Sequence, residues 1–175
     1  GEAGYKLAKE IHKDIKSFIE KKLKIRFDRW FSEESLYQNG EIDKIYRWLK
    51  RKNLIYKKEG AEWLKTSKYG DKKDWVIIRA TGDPTYLLSD IAYHKDKFTR
   101  GYDGVINIWG ADHQGHVKKM KAVAKILAYG GNLELLITQM VRLKECGKGI
   151  KMSKRAGTTV GLEWLIDEVD LDVAR

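Results

Sequence analysis

Leu7, Ala8, Ile11, Ile15, Phe18, Ile19 and Leu23 recur at three- and four-residue intervals, with lysines filling the positions between them. That period predicts an amphipathic helix over residues 5–24. Ile42, Ile45, Tyr46 and Leu49 repeat the pattern after a break at Asn39-Gly40, which predicts a second helix over 42–52. Between residues 54 and 80 the pattern shortens into aromatic and β-branched pieces, Leu54–Tyr56, Ala61–Lys65 and Trp75–Arg79. Glu59-Gly60 and Gly70-Asp71 separate them, so a small antiparallel sheet is expected. From residue 83 the rhythm changes again. A helix over Tyr86–Phe98 precedes a short buried strand over Val105–Trp109 that closes at Gly110. A helix over Val117–Tyr129 follows, with Val117, Met120, Val123, Ala124, Leu127 and Ala128 on one face and Gly130-Gly131 as its stop. A second apolar strand over Leu135–Val141 and a last helix over Gly161–Val169 complete the pattern.

Helices alternating with strands point to parallel βαβ wiring, hence an α/β fold. The expected organisation is a helical and small β-sheet region over 1–82, followed by a parallel sheet with its helices over 83–175. The only proline, Pro84, marks the division.

Composition narrows the picture further. The 175 residues suffice for one domain, or for one domain with a small insert. A single cysteine, Cys146, excludes an internal disulfide framework and favours a reducing compartment, so a cytoplasmic location is expected. No apolar run is long enough to span a membrane, and no membrane partner is expected. The chain opens on Gly1 and not on methionine, which suggests a piece of a longer protein. Lys and Arg together number 35 against 25 for Asp and Glu, a net charge of +10. This excess suits a polyanionic partner, although a solvated lysine-rich surface explains it equally well. Basic residues cluster at Lys44, Arg47, Lys50, Arg51, Lys52, Lys57 and Lys58, and again from Lys148 to Arg155.

Four segments after residue 80 could carry chemistry. In the first, Lys148 to Gly157, glycines flank Lys151, Lys154 and Arg155. Such a loop can close over a triphosphate and neutralise charge as pyrophosphate leaves, though an arbitrary basic run is more often a solvated loop. The second, Gly110-Ala111-Asp112-His113-Gln114-Gly115-His116, joins a predicted strand to a helix. Ligands of open α/β sheets bind at such junctions. Asp112 could accept from a ribose hydroxyl and the histidines could donate to phosphate, but a capping aspartate and surface histidines are the plain alternative. The third is Tyr86-Leu87-Leu88-Ser89-Asp90, where i, i+4 spacing sets a phenol and a carboxylate on one helix face. That pair suits a planar cation wanting a bidentate acceptor, against the alternative of an ordinary surface carboxylate. The fourth, Gln139-Met140-Val141, ends the second strand, where free backbone groups could read an adenine edge. Asp112, His113 and His116 lack a further ligand at workable spacing, so no metal site is expected. Cys146 has no base placed by motif and is not read as a nucleophile.

Lys151-Met152-Ser153-Lys154 resembles the signature loop of class I aminoacyl-tRNA synthetases. Together with Val141-Arg142-Leu143, Tyr86-Leu87-Leu88-Ser89-Asp90-Ile91-Ala92-Tyr93-His94 and Gly110-Ala111-Asp112-His113, it is similar to the arginyl-tRNA synthetase family in particular. Trp63 to Ser67 followed by Gly70 to Asp74 resembles that family's stretch just upstream. Four motifs in the right order are more specific than any one of them.

The resemblance implies a Rossmann-type domain that activates L-arginine with ATP, accompanied by Mg2+, and then charges tRNA(Arg). Tyr86 and Asp90 would hold the guanidinium. Gly110 and Asp112 would contact the ribose, with His113 near the reacting phosphate. Met140 and Val141 would meet adenine through backbone groups, and Lys151, Ser153 and Lys154 would bind the triphosphate. The family also uses an early His-x-Gly-His element, and the string at 113–116 is read as a local mimic of it. The chain is therefore expected to hold the connective insertion and the second half of the catalytic fold, to be monomeric, and to be inactive alone. Two rivals stay open on the residues: a stand-alone nucleotidyltransferase using His113 and His116, and a non-enzymatic RNA-binding module built on the basic helix at 44–52.

Overall fold

A computed structural model describes residues 2–139, 144–145, 148–149 and 161–174. They fall into two compact units, one of residues 1–30 with 142–175 and one of residues 31–141.

The larger unit opens with two helices, α2 (Glu34–Gln38) and α3 (Glu41–Arg51). Helix α3 buries Ile42, Ile45 and Leu49 of the stripe its spacing predicts and leaves Tyr46 half-buried. A three-stranded antiparallel sheet follows in the order β1 (Ile55–Lys58), β2 (Ala61–Leu64), β3 (Trp75–Ile78). Ile55 pairs with Leu64 and Leu64 with Trp75, with a bulge between Glu62 and Trp63. A 3-10 turn over Thr66–Tyr69 bridges β2 to β3 and ends at Gly70, whose φ of 102° suits glycine. The buried Thr66 hydroxyl donates to the Lys73 carbonyl, and the Ser67 amide donates to Asp74. Burial alone would push the Asp74 carboxyl up, but hydrogen bonds from Ser67 outweigh it and hold it below its ordinary value.

Helix α4 (Tyr86–Phe98) packs on α3 and β3. It leads to a parallel pair, β4 (Val105–Gly110) and β5 (Leu133–Thr138), with α5 (Val117–Ile126) as the crossover. Val105 pairs with Leu133 and Gly110 with Thr138. One core runs from Leu36 through Leu49, Leu64, Ile77, Leu88, Ile91 and Val123 to Leu133. It joins elements on both sides of residue 82.

The outer face of the parallel pair is different. Ile106, Ile108 and Leu136 point away from the core and are exposed. Parallel sheets normally bury both faces.

The α/β class and the parallel wiring agree with the expectation, whereas several boundaries move. Helix α5 stops at Ile126, and the Tyr129 amide closes its end by donating to the Ala124 carbonyl at 2.7 Å. Ala128 takes the left-handed conformation there, with φ of 62°. Gly130 serves a close approach instead, since a Cβ at that position would lie 2.7 Å from Lys125 Cγ. Strand β5 starts at Leu133 because that residue is buried opposite Val105. Helix α2 is too short for a periodic pattern and escapes the sequence reading.

In the smaller unit, α1 (Glu2–Lys21) starts and ends three residues earlier than expected and buries none of its residues. The Trp30 indole donates to Glu20 at 3.3 Å and meets the edge of His12 at 5.5 Å. A two-residue antiparallel pair, β6 (Lys144–Glu145) and β7 (Lys148–Gly149), precedes α6 (Leu162–Val169) and α7 (Leu171–Ala174).

Candidate active site

Tyr86 and Asp90 occupy the first turns of α4. Thr85 starts the helix: its amide donates to the Ile77 carbonyl and its hydroxyl to the Val76 carbonyl at 2.9 Å each, which ties the helix start to β3. Tyr86 is 81% exposed, while Asp90 is half-buried one turn on. A phenol in solvent and a carboxylate at the edge of the core thus line one face. Burial pushes the Asp90 carboxyl up; the Lys119 ammonium opposes this and the Glu33 carboxylate adds to it.

Gly110, Asp112 and His113 follow from β4. The strand ends at Gly110, and Ala111–His116 form a 3-10 turn that opens α5. The Thr138 hydroxyl donates to the Trp109 carbonyl at 3.1 Å, which fixes the strand end beside β5. Asp112 and His113 are exposed and stand 3.6 Å apart, carboxylate to imidazole. The His113 ring meets His116 edge-on at 5.7 Å. Exposed donors and acceptors at the carboxyl end of a parallel strand are placed to meet a polar ligand.

Residues of α5 tie the two sides together. The largely buried Lys119 ammonium lies 4.4 Å from the centre of the Trp75 ring, whose other cation, from Lys73, lies at 4.2 Å. The Trp75 indole donates to Asp71 at 2.7 Å. Burial pushes the Lys119 ammonium down, offset in part by the Asp90 and Asp71 carboxylates. Burial lowers the His116 imidazole as well, with Lys119 and His113 adding to the effect.

Among the predicted site residues, the structure therefore sets Tyr86 and Asp90 on α4, Gly110 at the end of β4, and Asp112 and His113 in the turn after it, all in one unit. Met140, Val141, Lys151, Ser153 and Lys154 lie outside the described residues. Sequence reasoning missed Lys119, because a lysine beside Met120 reads as the polar edge of a helix. It also missed Lys97 and Asn107, which meet His94 in the core. Only a polar residue in the middle of the apolar run Val105-Ile106-Asn107-Ile108 hinted at Asn107. Among the described residues, no group of three or more His, Cys, Asp or Glu could hold a metal ion. No helix among them is long and apolar enough to cross a membrane.

Residues 2–174 match the family described as tRNA synthetases class I (R), catalytic domain. The chain is 50% identical over 170 residues to the arginine–tRNA ligase of Aquifex aeolicus, covering 97% of this chain and 28% of that protein. Against the arginine–tRNA ligase of Bacillus subtilis it is 48% identical over 172 residues, covering 98% of this chain and 30% of that one. The chain thus spans less than a third of the length of these curated relatives. Among solved structures, an arginyl-tRNA synthetase from Campylobacter jejuni superposes with a TM-score of 0.76 at 43% identity, over 87% of this chain and 33% of that one. The arginyl-tRNA synthetase of Plasmodium falciparum gives a TM-score of 0.64 at 14% identity, over 78% of this chain and 24% of that one, and so shares the fold. With the motifs, the parallel βαβ unit and this match in agreement, the chain belongs to the family of class I arginyl-type tRNA synthetase catalytic domains.

Proposed function

We propose that the chain is part of an arginine–tRNA ligase that activates L-arginine with MgATP and transfers it to tRNA(Arg). The observation that carries this reading is the face of α4, with the Tyr86 phenol in solvent and the Asp90 carboxylate half out of water one turn on. A partly desolvated carboxylate binds a guanidinium through charge-assisted, bidentate hydrogen bonds, which a lysine ammonium cannot reproduce. Arginine is therefore the amino acid this face suits. Gly110 and Asp112 would meet the ribose, His113 the reacting phosphate, and Met140 and Val141 the adenine edge. Lys151, Ser153 and Lys154 would bind the triphosphate, the two lysines acting most strongly as charge grows on departing pyrophosphate. Magnesium enters with ATP as part of the substrate.

In this reading residues 1–82 form an insertion and 83–175 the second half of the catalytic fold. The parent enzyme works as a monomer in the cytoplasm, and the chain alone lacks the other wall of its site.

The test is Asp90→Asn in the full-length enzyme. Removing one partner of a desolvated charged pair costs about 2–5 kcal/mol. Arginine kcat/KM should fall accordingly, with the KM for ATP little changed. An arginine kcat/KM within about twofold of wild type, on a scale where tenfold is about 1.4 kcal/mol, would return Asp90 to the status of a surface carboxylate.

A further inference from the structure

The inward face of α4 carries a polar cluster that the reading above does not use. His94 is 3% exposed. Its Nδ1 lies 2.7 Å from the backbone carbonyl of Asp90, so this nitrogen carries the proton and donates it. Nε2 is then the acceptor, and Asn107 Nδ2 donates to it at 2.8 Å. The Lys97 ammonium donates to Asn107 Oδ1 at 2.6 Å and lies 3.2 Å from His94 Nε2. It also lies 4.6 Å from the centre of the Tyr93 ring. The three side chains close a triangle in which His94 and Asn107 are buried and Lys97 is half-buried, with the His94 ring 6.0 Å from that of Phe98.

Apolar side chains in this space would pack without such directionality. Dispersion contacts tolerate small slides of a helix along a strand, whereas hydrogen bonds weaken steeply with misalignment. The cluster joins two particular elements. His94 binds the backbone of Asp90 itself, on the helix that carries Tyr86. Asn107 is in the middle of β4, three residues before Gly110 and five before Asp112. Burial, reinforced by the Lys97 charge, pushes the His94 imidazole down to about 4, so Nε2 stays an acceptor at neutral pH.

We propose that His94, Lys97 and Asn107 are positioning residues for adenylate formation, holding the arginine-binding turn of α4 in register with the nucleotide-binding end of β4. The proposal rests on the function given above. Arginine and ATP would each still bind when the cluster is broken, since none of its three side chains is among the groups assigned to either ligand. What changes is the alignment of the arginine carboxylate with the α-phosphate. Reactions between bound partners are steep in that alignment: a displacement of ~1 Å can cost about a hundredfold.

The experiment uses the full-length enzyme with tRNA(Arg) present, carrying Asn107→Leu, which keeps the branched shape of the side chain and removes both hydrogen bonds. Three quantities are measured: the single-turnover rate of arginyl-adenylate formation per titrated active site, and the Kd values for arginine and for ATP separately. The expected result is a per-site rate lower by about tenfold or more, with both Kd values within about twofold. A lowered melting temperature with an unchanged per-site rate would show a merely structural cluster and overturn the proposal. If Asn107→Leu fails to fold, Lys97→Met carries the same expectation and the same overturning result. Wild-type enzyme is the control. If it shows no arginine-dependent pyrophosphate exchange with tRNA(Arg) present, the function itself is wrong and this proposal falls with it. An active wild type with unaffected variants removes the positioning role alone.

Discussion

Leu49, Leu64 and Ile77 are fully enclosed, whereas Ile106, Ile108 and Leu136 are 59, 68 and 42% exposed, although all six are aliphatic residues in regular elements of one unit. The first three belong to α3 and the antiparallel sheet β1–β3. An antiparallel sheet can keep one face wet, so a single helical layer completes it. The other three lie on the outer face of the parallel pair β4–β5. A parallel sheet is stable when helices or further layers cover both faces, and here, among the described residues, only the α4–α5 side is covered. The larger unit therefore contains one region that finishes its own packing and one that presents half a wall, and Gly110, Asp112 and His113 lie at the end of the half wall.

Catalysis gives the sharpest test of that contrast, and the largest expected effect. If the β4–β5 region is one wall of an active site, the isolated 175-residue chain should show no arginine-dependent exchange of pyrophosphate into ATP with tRNA(Arg) present, whereas the full-length protein should show it. Groups held at fixed geometry across a cleft supply as much as about 7–11 kcal/mol of barrier lowering, and a single wall does not hold them. Robust exchange by the isolated chain would mean that its site is complete. His113-Gln114-Gly115-His116 would then return as a working catalytic element.

The self-contained region should behave in the opposite way. Leu64→Ala removes a side chain with no exposed surface from the centre of the core, and cavities of this kind cost about 2–5 kcal/mol. The loss should be seen in denaturant unfolding of the isolated chain and, at similar size, in the full-length protein. A cost below about 1 kcal/mol would show that this core relaxes around the gap.

Between the two regions lies His94, and its titration reads their junction. Its folded pKa is pushed down from 6.5 to about 4 by burial and by Lys97. The unfolded chain therefore binds the proton first, and stability falls as pH drops from about 6.5 toward about 4. The full effect of such a shift is about 3 kcal/mol, on a scale of 1.36 kcal/mol per pKa unit. Unfolding measured along that pH range should show the loss in wild type and not in His94→Gln. An equal acid loss in both would place the effect elsewhere.

Much of this was legible in the sequence where one period ran long enough to be read. Helix α3 buries Ile42, Ile45 and Leu49 of the stripe that its spacing announces, and α4 has the bounds predicted for it. The pairing of β4 with β5 followed from the helix between them. Helix α2, at five residues, has no period to show, and the ends of α5 and β5 were set by Ala128 and by the pairing of Leu133 with Val105. In the candidate site, the placing of Tyr86 and Asp90 on one face of α4 was legible because i, i+4 spacing is local. Lys119 and Asn107 were not, because a lysine against Trp75 and an asparagine against His94 are tertiary facts, joining residues 44 and 13 positions apart in the chain.

Ile108→Ser is the smallest expected effect and bears most directly on the half wall. In the isolated chain this side chain is already 68% in water, so replacing it should change stability by no more than about 0.5 kcal/mol. In the full-length enzyme the proposed second wall would cover the same face. Burying an isoleucine is worth about 1.5–3 kcal/mol relative to leaving it exposed. The same substitution should therefore cost well over 1 kcal/mol there, with the unpaired serine hydroxyl adding to the loss. The difference between the two backgrounds is the measurement, and denaturant midpoints taken side by side supply it. Equal small effects would mean that Ile108 faces water in both, and the outer face of β4–β5 would then be a finished surface.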